Sequence, residues 1–168
     1  MSPPFVAVLM GSDSDLPTLQ TTLDVLAGLG IPCEVKITSA HRTPAATHAY
    51  VKDADVRGCA VYIAAAGLAA HLAGTVAALT LKPVIGIPLG AGALNGIDSL
   101  LSTVQMPGGI PVATVAIGKP GATNAAYLAA QILALSDPEL ANRLAAEREA
   151  NAQGVLAKDA QLQAERRG

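Results

Sequence analysis

Short, continuously apolar segments alternate along this chain with segments whose apolar residues recur every three or four positions. The first apolar segment, Phe5–Met10, reads FVAVLM and is typical of a strand that is covered on both faces of its sheet. The next segment has leucines at positions 16, 19, 23 and 26, the spacing of one helical face. The alternation therefore predicts strands that each lead into a helix.

Five strand–helix units of this kind are predicted between residues 5 and 135. The predicted strands are Phe5–Met10, Cys33–Thr38, Cys59–Ala64, Pro83–Pro88 and Val112–Ile117. The predicted helices start after Asp15 and at Thr43-Pro44, the latter running to about Val56, and then span Ala69–Leu81, Ile97–Gln105 and about Ala122–Leu135. Repeated units of this type form a parallel sheet with right-handed crossovers. We predict a three-layer α/β domain with a five-stranded, flavodoxin-like parallel sheet.

The character of the chain changes after Ser136. The sequence has 11 Lys and Arg and 13 Asp and Glu, and 11 of these 24 charges lie in residues 137–168. We therefore predict a catalytic domain over residues 1–136 and a C-terminal helical extension over residues 137–168. An amphipathic helix is expected over Asp137–Ala152, with a break at Gly154. From its residues alone, the extension suits a solvated tail and an arm on a neighbouring subunit equally well.

Composition excludes several classes of protein. With 51% hydrophobic and 14% charged residues, the chain has enough apolar surface to fold. Its net charge of −2 argues against a nucleic-acid partner, which would require clustered cations. Residues 1–136 carry only 13 of the 24 charges, so we expect much of their surface to be hidden, either in a core on both faces of a sheet or in contacts between subunits. Cys33 and Cys59 are predicted to be buried free thiols.

One uncharged segment, Gly58–Leu81, is long enough to cross a bilayer. It contains His71 and three glycines, and it divides into a strand-like and a helix-like part, so we predict a buried strand and helix instead. The N-terminus lacks the pattern of a signal peptide. We expect a cytoplasmic protein without a membrane partner.

Residues capable of chemistry gather in the three loops that follow the first three predicted strands. Ligands of parallel sheets bind at the carboxyl ends of the strands. Ser12, Ser39 and Arg42 lie in such loops ahead of helices, where free N–H groups favour an anion and an arginine fork suits phosphate. The alternative is ordinary helix capping and a surface arginine. The absence of the glycine motifs of dinucleotide and triphosphate sites argues against those ligands and leaves open a phosphorylated ligand the size of a mononucleotide.

Two further residues of these loops are candidates for the reaction itself. His41 could transfer protons, because the ordinary pKa of histidine lies near physiological pH, although it could also be an ordinary polar residue. Asp15 could cap the following helix or accept hydrogen bonds from a ribose. The role of His71, which starts a helix beside the same crevice, stays open. No set of His, Cys, Asp or Glu has the spacing of metal ligands, so no metal is predicted.

These loops carry a family resemblance. The chain closely resembles the class I bacterial N5-carboxyaminoimidazole ribonucleotide mutases, within the phosphoribosylaminoimidazole carboxylase catalytic-subunit family. The matching segments are MGSDSD (10–15), SAHRTP (39–44), AAHL (69–72), DSLLSTVQMPGGIPVAT (98–114) and AIGKPGATNAA (116–126). They extend in order from about Val6 to Leu135. Arg42 also resembles the mutase class, because the animal-type carboxylases that use free carbon dioxide usually have lysine there.

The resemblance implies an isomerase of purine (IMP) biosynthesis. Such enzymes move a carboxyl group from the exocyclic nitrogen to a ring carbon of 5-aminoimidazole ribonucleotide, without metal or other cofactor. By resemblance, His41 is the catalytic acid and base, Asp15 binds the ribose, and Ser12, Ser39 and Arg42 hold the substrate, mainly its phosphate. The resemblance also implies a cytoplasmic homo-octamer whose C-terminal helix packs on a neighbour.

The third loop departs from the family pattern. It reads AAAGLAAHLAG from Ala64, where the family has A-G-A-G-G-A-A-H-L-P-G, so Ala65, Leu68 and Ala73 replace two glycines and a proline. By resemblance, Gly67 in this loop contacts the substrate. A positive φ at Leu68 would cost about 1–2 kcal/mol. Two alternatives to the mutase therefore stay open. One is a carboxylase of the same fold that uses free carbon dioxide on this or another heterocycle, and the other is a flavodoxin-like ligand-binding module without catalysis.

Overall fold

The computed structural model describes residues 4–167, and its centre is one parallel sheet. The strands are β1 (Phe5–Met10), β2 (Cys33–Ile37), β3 (Cys59–Gly67), β4 (Val84–Leu89) and β5 (Ala113–Thr114). They lie in the order β2-β1-β3-β4-β5, and every neighbouring pair is parallel. This order confirms the predicted five-stranded, flavodoxin-like sheet.

Helices cover both faces of the sheet. They are α1 (Leu16–Gly28), α2 (Pro44–Arg57), α3 (Leu72–Ala77), α4 (Ile97–Val104), α5 (Lys119–Ala134) and α6 (Pro138–Arg167). Helices α1 and α5 share a core with one face of the sheet, and α2 and α3 share a core with the other. Helix α4 lies beside α3, because Thr103 of α4 and Ala73 of α3 both approach Gly86 of β4. The three predicted layers are therefore present.

The central strand β1 shows why the chain adopts this arrangement. All six of its residues are buried. Val6, Val8 and Met10 face the core of α1 and α5, while Ala7 and Leu9 face the core of α2 and α3. A continuously apolar strand is stable only where both faces are covered, which is the environment that parallel strands with crossover helices provide.

Small residues let α5 lie close to its neighbours. Ala122, Ala125, Ala126 and Ala129 are fully buried, and the Thr22 hydroxyl of α1 donates a hydrogen bond to the Ala122 carbonyl at 2.7 Å. A Cβ atom at Gly121 would lie 1.6 Å from the Ala116 carbonyl oxygen, so only glycine fits there. This close approach places the loop after β5 directly against the start of α5.

Three boundaries of the predicted strands and helices are wrong around the carboxyl edge of the sheet. Strand β3 ends at Gly67 instead of Ala64, because residues 65–67 pair with residues 87–89 of β4. Helix α3 covers Leu72–Ala77 instead of Ala69–Leu81, since Leu68 has a φ of +55° and the chain cannot enter the helix before it turns there. Strand β5 has only two residues, which pair with Ile85 and Gly86.

The last two helices also differ from the prediction. Helix α5 starts at Lys119, three residues earlier than expected, with proline in its first turn. Helix α6 runs through Gly154 without the predicted break. An exposed glycine costs a helix only about 1 kcal/mol, and side-chain bonds such as Gln153 to Glu149 support the turns around it.

Two smaller predictions can be compared with the structure as well. Cys59 is a buried free thiol as expected, but Cys33 is only half-buried, because β2 is an edge strand of the sheet. Within residues 4–167, none of the helices combines the length and the apolarity that crossing a bilayer requires.

Candidate functional site

A cavity of about 360 Å³ opens at the carboxyl ends of four adjacent strands, β2, β1, β3 and β4. The loops after these strands form its walls. The six residues that the sequence singles out all line it: Ser12, Asp15, Ser39, His41, Arg42 and Gly67. Residues that lie up to 55 positions apart in the sequence thus share one cavity, at the edge of the sheet where parallel folds bind ligands.

The loop after β1 is organised by Ser12 and Asp15. It forms a single 3-10 turn over Asp13–Asp15, in which the Ser14 N–H donates to the Ser12 hydroxyl at 3.3 Å. The Ser12 N–H in turn donates to Asp15 Oδ2 at 3.2 Å. Asp15 occupies the N-cap position of α1 but makes no side-chain bond to that helix, so the predicted cap of α1 is wrong. Its carboxylate holds the loop instead.

The Asp15 carboxylate is half-buried, and its surroundings change its pKa. Burial raises the pKa of Asp15, and the nearby Asp13 charge acts in the same direction. Hydrogen bonds from the Ser12 and Gly11 N–H groups oppose this rise, as does the Arg42 charge to a smaller extent. One carboxylate oxygen is engaged by the loop, which leaves the group able to accept further hydrogen bonds from a ligand.

Arg42 connects the loops after β1 and β2. Its Nη2 donates to the Gly11 carbonyl at 2.7 Å, and its backbone N–H donates to the Ser39 hydroxyl at 3.1 Å. Its Nε also donates to the Ser39 hydroxyl, at 3.5 Å, and Arg42 lines both the cavity and an adjoining hollow of about 480 Å³. Ser12, Ser39 and Arg42 line both spaces. A cation flanked by two hydroxyl groups is a suitable environment for phosphate.

Three threonines that the sequence analysis overlooked hold the loop after β2. Thr38 and Thr47 hydroxyls lie 2.7 Å apart, and the Ser39 N–H donates to the Thr43 hydroxyl at 2.9 Å. Thr38 and Thr47 are buried. Helix α2 starts after Thr43 as predicted, but the Thr43 side chain bonds to Ser39 and makes no capping hydrogen bond to the helix. The repeated threonines in and around this loop were the available signal for a hydroxyl network.

His41 meets His71 across the cavity. His41 Nε2 and His71 Nδ1 lie 2.7 Å apart, and the two rings stand edge to face with centroids 4.8 Å apart. One nitrogen of this pair must carry the hydrogen and the other must accept it, so each ring fixes the tautomer of the other. From the sequence, the role of His71 stayed open. The structure makes it the hydrogen-bond partner of the candidate acid and base.

The loops after β3 and β4 form the remaining wall. Leu68 has a φ of +55° and lines the cavity together with Gly67. Ala91, in the loop after β4, also lines it and was not predicted. A Cβ atom at Gly67 would lie 3.1 Å from the Ala91 Cβ, so the two loops touch and a larger residue at position 67 would crowd the cavity. The glycines of the fourth loop were the available signal for this contact.

The cavity therefore has two chemically distinct sides. We call Ser12, Asp15, Ser39 and Arg42, which follow β1 and β2, the polar wall. We call Ala66, Gly67, Leu68 and Ala91, which end or follow β3 and β4, the apolar wall. The histidine pair lies between them. In the part of the chain that the structure describes, no three His, Cys, Asp or Glu side chains are grouped as metal ligands would be.

Comparisons with known proteins identify the family to which this chain is similar. The sequence profile of the AIR carboxylase family matches residues 5–154. The N5-carboxyaminoimidazole ribonucleotide mutase of Bacillus subtilis is 54% identical over 159 residues, which is 95% of this chain and 98% of that protein. The enzyme of the same name from Escherichia coli K12 is 52% identical over 155 residues, 92% of each chain. The crystal structure of Treponema denticola PurE superimposes with a TM-score of 0.86 at 33% identity, covering 95% of this chain and 99% of that one.

Proposed function

The chain belongs to the AIR carboxylase family, and we propose how its cavity carries out the reaction of an N5-carboxyaminoimidazole ribonucleotide mutase. Relatives of this name are more than half identical to it over at least nine-tenths of its length. The enzyme is accordingly an isomerase of purine biosynthesis. The relatives' names support neither the free-carbon-dioxide carboxylase nor the ligand-binding module without catalysis.

The reaction requires the protein to position the nucleotide and to transfer one proton. The bond between the exocyclic nitrogen and the carboxyl carbon breaks, and its electron pair stays on nitrogen. A ring carbon then bonds to the carboxyl carbon and loses its hydrogen as a proton, while the nitrogen gains one. No atom is gained or lost overall. The amino-substituted ring supplies the electrons, so the site must hold the nucleotide, move the proton and exclude water.

The polar wall binds the sugar-phosphate part of the nucleotide. Arg42 binds the phosphate, with Ser12 and Ser39 beside it, because Arg42 lines both the cavity and the adjoining hollow. Asp15, one of whose oxygens is free of the loop's hydrogen bonds, accepts hydrogen bonds from the ribose hydroxyls. A nucleotide anchored in this way has its base directed across the cavity towards the histidine pair and the apolar wall, where Gly67 leaves room for it.

His41 takes the proton from the ring carbon and returns one to the nitrogen. It reaches the cavity from the loop after β2, and its bond to His71 at 2.7 Å selects its tautomer. His71 acts as a positioning residue and as a partner that shares the positive charge when His41 is protonated. The observation that carries the assignment is that His41 and the polar wall face one cavity of the size that a single nucleotide needs.

The homo-octamer in the cytoplasm stays a proposal that rests on the family resemblance, and the outer half of α6 supports contacts between copies of the chain. Residues 148–166 are all exposed, including Val155, Leu156 and Leu162, whereas Leu140 in the first turns is buried against the domain. An isolated helix surface of this kind gains stability when a second copy of the chain covers it. The sparse charge of residues 1–136 acts in the same direction, since an uncharged surface suits subunit contacts.

A labelled carboxyl group tests the proposed activity directly. The full chain is supplied with N5-carboxyaminoimidazole ribonucleotide that carries ¹³C in its carboxyl group, without added bicarbonate, metal or ATP. We expect the ¹³C NMR signal to move from the nitrogen-bound to the carbon-bound position. A chain that instead converts only 5-aminoimidazole ribonucleotide with bicarbonate would be a carboxylase, and a chain that binds nucleotide without either conversion would be a binding module.

A further inference from the structure

The histidine pair brings two nitrogen atoms that can bind a metal to one accessible cavity. His41 Nε2 and His71 Nδ1 lie 2.7 Å apart, and both residues are exposed and line the cavity. Neutral imidazole is a preferred ligand of zinc and of its neighbours among the transition metals. His41 follows β2 and His71 follows β3, so the parallel sheet itself brings the two nitrogens together. The proposed reaction uses the pair for a proton, but the same two nitrogens also suit a cation.

The separation of the two nitrogens is close to the one that a shared zinc ion requires. Zinc binds histidine nitrogen at about 2.0–2.1 Å, so two such ligands of a tetrahedral ion lie about 3.3 Å apart. The pair must therefore open by roughly 0.6 Å from its separation of 2.7 Å, and each ring must turn towards the ion. Because both side chains are exposed, this movement requires no repacking of the core.

The hydrogen that joins the two rings can leave without a change of charge. In the pair, one ring carries this hydrogen and the other ring accepts it. When zinc takes its place, the first ring gives this proton to water and takes up another proton from water on its second nitrogen. Both rings stay neutral, and both facing nitrogens then have a free electron pair for the ion.

Two histidines supply only half of a tetrahedral set of ligands. Structural zinc sites have four protein ligands and catalytic sites have three, and residues 4–167 contain no group of three such side chains. Water, or a carboxylate such as that of Asp15, which lines the same cavity, can fill the remaining positions. An ion held in this way exchanges with solvent, so it is an inhibitor of the empty cavity and not a resident cofactor.

We propose that Zn²⁺ binds between His41 and His71 when the cavity holds no nucleotide, and that it inhibits the enzyme in competition with its substrate. The ion replaces the hydrogen bond that sets the tautomer of His41, and it lies where the polar wall directs the base of the nucleotide. The competition rests on the proposed function, whereas the binding of zinc does not. Bound nucleotide should therefore protect the enzyme from zinc.

The binding of zinc is measured first, on the full chain without nucleotide. Titration with Zn²⁺ against a chromophoric chelator should give one ion per chain. His71→Asn should bind this ion at least about tenfold more weakly, because the loss of even an indirect partner of a metal costs about 10–100-fold. His48→Asn and Cys33→Ser are the matched controls. His48 is exposed on α2 and Cys33 is a half-buried thiol on β2, and neither lines the cavity, so both variants should bind zinc as the parent does.

Anomalous X-ray scattering at the zinc edge locates the ion in the parent chain without any substitution. Crystals grown without nucleotide and soaked in Zn²⁺ should show one peak at about 2.0–2.1 Å from both His41 Nε2 and His71 Nδ1. The peak should be absent from crystals that were saturated with nucleotide before the soak. A peak only at other residues would overturn the site, even if His71→Asn failed to fold.

Turnover of the ¹³C-labelled nucleotide measures the inhibition. Zn²⁺ should raise the apparent KM several-fold and leave kcat nearly unchanged, and an excess of EDTA should restore the original rate. His48→Asn should be inhibited as strongly as the parent. Inhibition that excess nucleotide does not relieve would overturn the competition between the ion and the substrate.

The outcomes separate this inference from the proposed function. A parent chain without turnover overturns the function, while the titration and the scattering experiment still decide whether the histidine pair binds zinc. A parent chain that turns over, but whose affinity for zinc is the same in His71→Asn, overturns the zinc site alone. An equal loss of affinity in Cys33→Ser would assign the zinc to the thiol and would overturn the site as well.

Discussion

The two walls of the cavity are built in different ways. The polar wall is held by directed hydrogen bonds, such as those from Arg42 to the Gly11 carbonyl and to the Ser39 hydroxyl. The apolar wall is held by close packing and unusual backbone angles, with Leu68 resting on Gly92. Hydrogen bonds fix the positions of charged and polar groups, and packing fixes a shape. A cavity that holds a charged nucleotide while one of its groups changes place needs both.

Substitutions in the two walls should have different effects. Loss of one donor in the polar wall leaves its partners unsatisfied and removes a specific contact to the ligand. Loss of side-chain volume in the apolar wall leaves the polar contacts to the ligand intact but changes the shape of the cavity and its access to solvent. The following variants separate these two effects, beginning with the residue that joins the walls.

His41→Asn removes the proton-transfer group at the junction of the two walls. We expect the turnover number to fall about 10²–10⁴-fold, the usual contribution of a positioned acid and base, while the dissociation constant of the nucleotide changes little. Stopped-flow or NMR assays give the first quantity and calorimetric titration the second. His48→Asn is the control, because His48 is exposed on α2 and does not line the cavity. Unchanged turnover in His41→Asn would contradict the mechanism.

Arg42→Ala tests whether the polar wall binds phosphate. Loss of a charge-assisted hydrogen bond costs about 1.5–3 kcal/mol, so we expect the nucleotide to bind about 10–100-fold more weakly. Arg42→Lys keeps the charge without the planar fork and should fall between the parent and the alanine variant. Titrations with the nucleotide and with its dephosphorylated nucleoside check the assignment. If the two ligands lose affinity equally, Arg42 does not contact the phosphate.

The apolar wall can be tested through stability alone. Leu68→Ala keeps a Cβ atom at positive φ, whereas Leu68→Gly relieves that strain of about 1–2 kcal/mol and adds about 0.5–1 kcal/mol of backbone entropy to the unfolded chain. We expect the glycine variant to be more stable than the alanine variant by about 0.5–1 kcal/mol. Calorimetric melting at equal subunit concentration makes the comparison. A more stable alanine variant would show that position 68 carries no strain.

The smallest expected effect is a pH dependence of stability from Asp15. Burial raises the pKa of Asp15 above its ordinary 3.8, so the folded protein holds this proton more tightly than the unfolded chain. The contribution of Asp15 to the free energy of unfolding must therefore fall as the pH rises from 3.8 through the raised value. Urea denaturation measures the free energy of unfolding of the parent and of Asp15→Asn across this range. The parent should lose stability relative to Asp15→Asn as the pH rises.

Glu34 provides the control of opposite sign. Its hydrogen bond with Arg57 lowers the pKa of Glu34, and the contribution of this pair should therefore grow as the pH rises past the lowered value. Glu34→Gln removes it. Because the pair is exposed, we expect Glu34→Gln to change the free energy of unfolding by less than about 1 kcal/mol. If the Asp15 and Glu34 differences vary with pH in the same direction, the burial argument for Asp15 fails.

The sheet and the polar wall could be predicted from the sequence because both depend on local information. Continuously apolar segments such as Phe5–Met10 predict buried strands, and loops that follow neighbouring parallel strands are expected to meet, as those of the polar wall do. The ends of strands were less predictable. Whether Ala65 and Ala66 continue β3 depends on Ile87 and Pro88 of a partner strand more than twenty residues away.

The parts of the site that the sequence left open depend on distant contacts. His71 lies 30 residues from His41, and nothing in either loop indicates that the two rings meet. Ala91 and Gly92 have no reactive side chain that would mark them in the sequence. Their importance comes from their contacts with Gly67 and Leu68. The strain at Leu68 could be anticipated, but its support by Gly92 required the structure. The roles proposed for the six predicted site residues remain predictions until the variants are measured.

If copies of the chain cover the bare outer part of α6 as proposed, the secondary structure of this chain depends on its concentration. Residues 148–166 form a helix of roughly 28 Å that is exposed along its whole length and contains polar pairs such as Gln161 and Glu165. A solitary helix of that length is marginal in water. Dilution below the assembly threshold should therefore unwind this helix and reduce circular dichroism at 222 nm, while the sheet beneath stays folded.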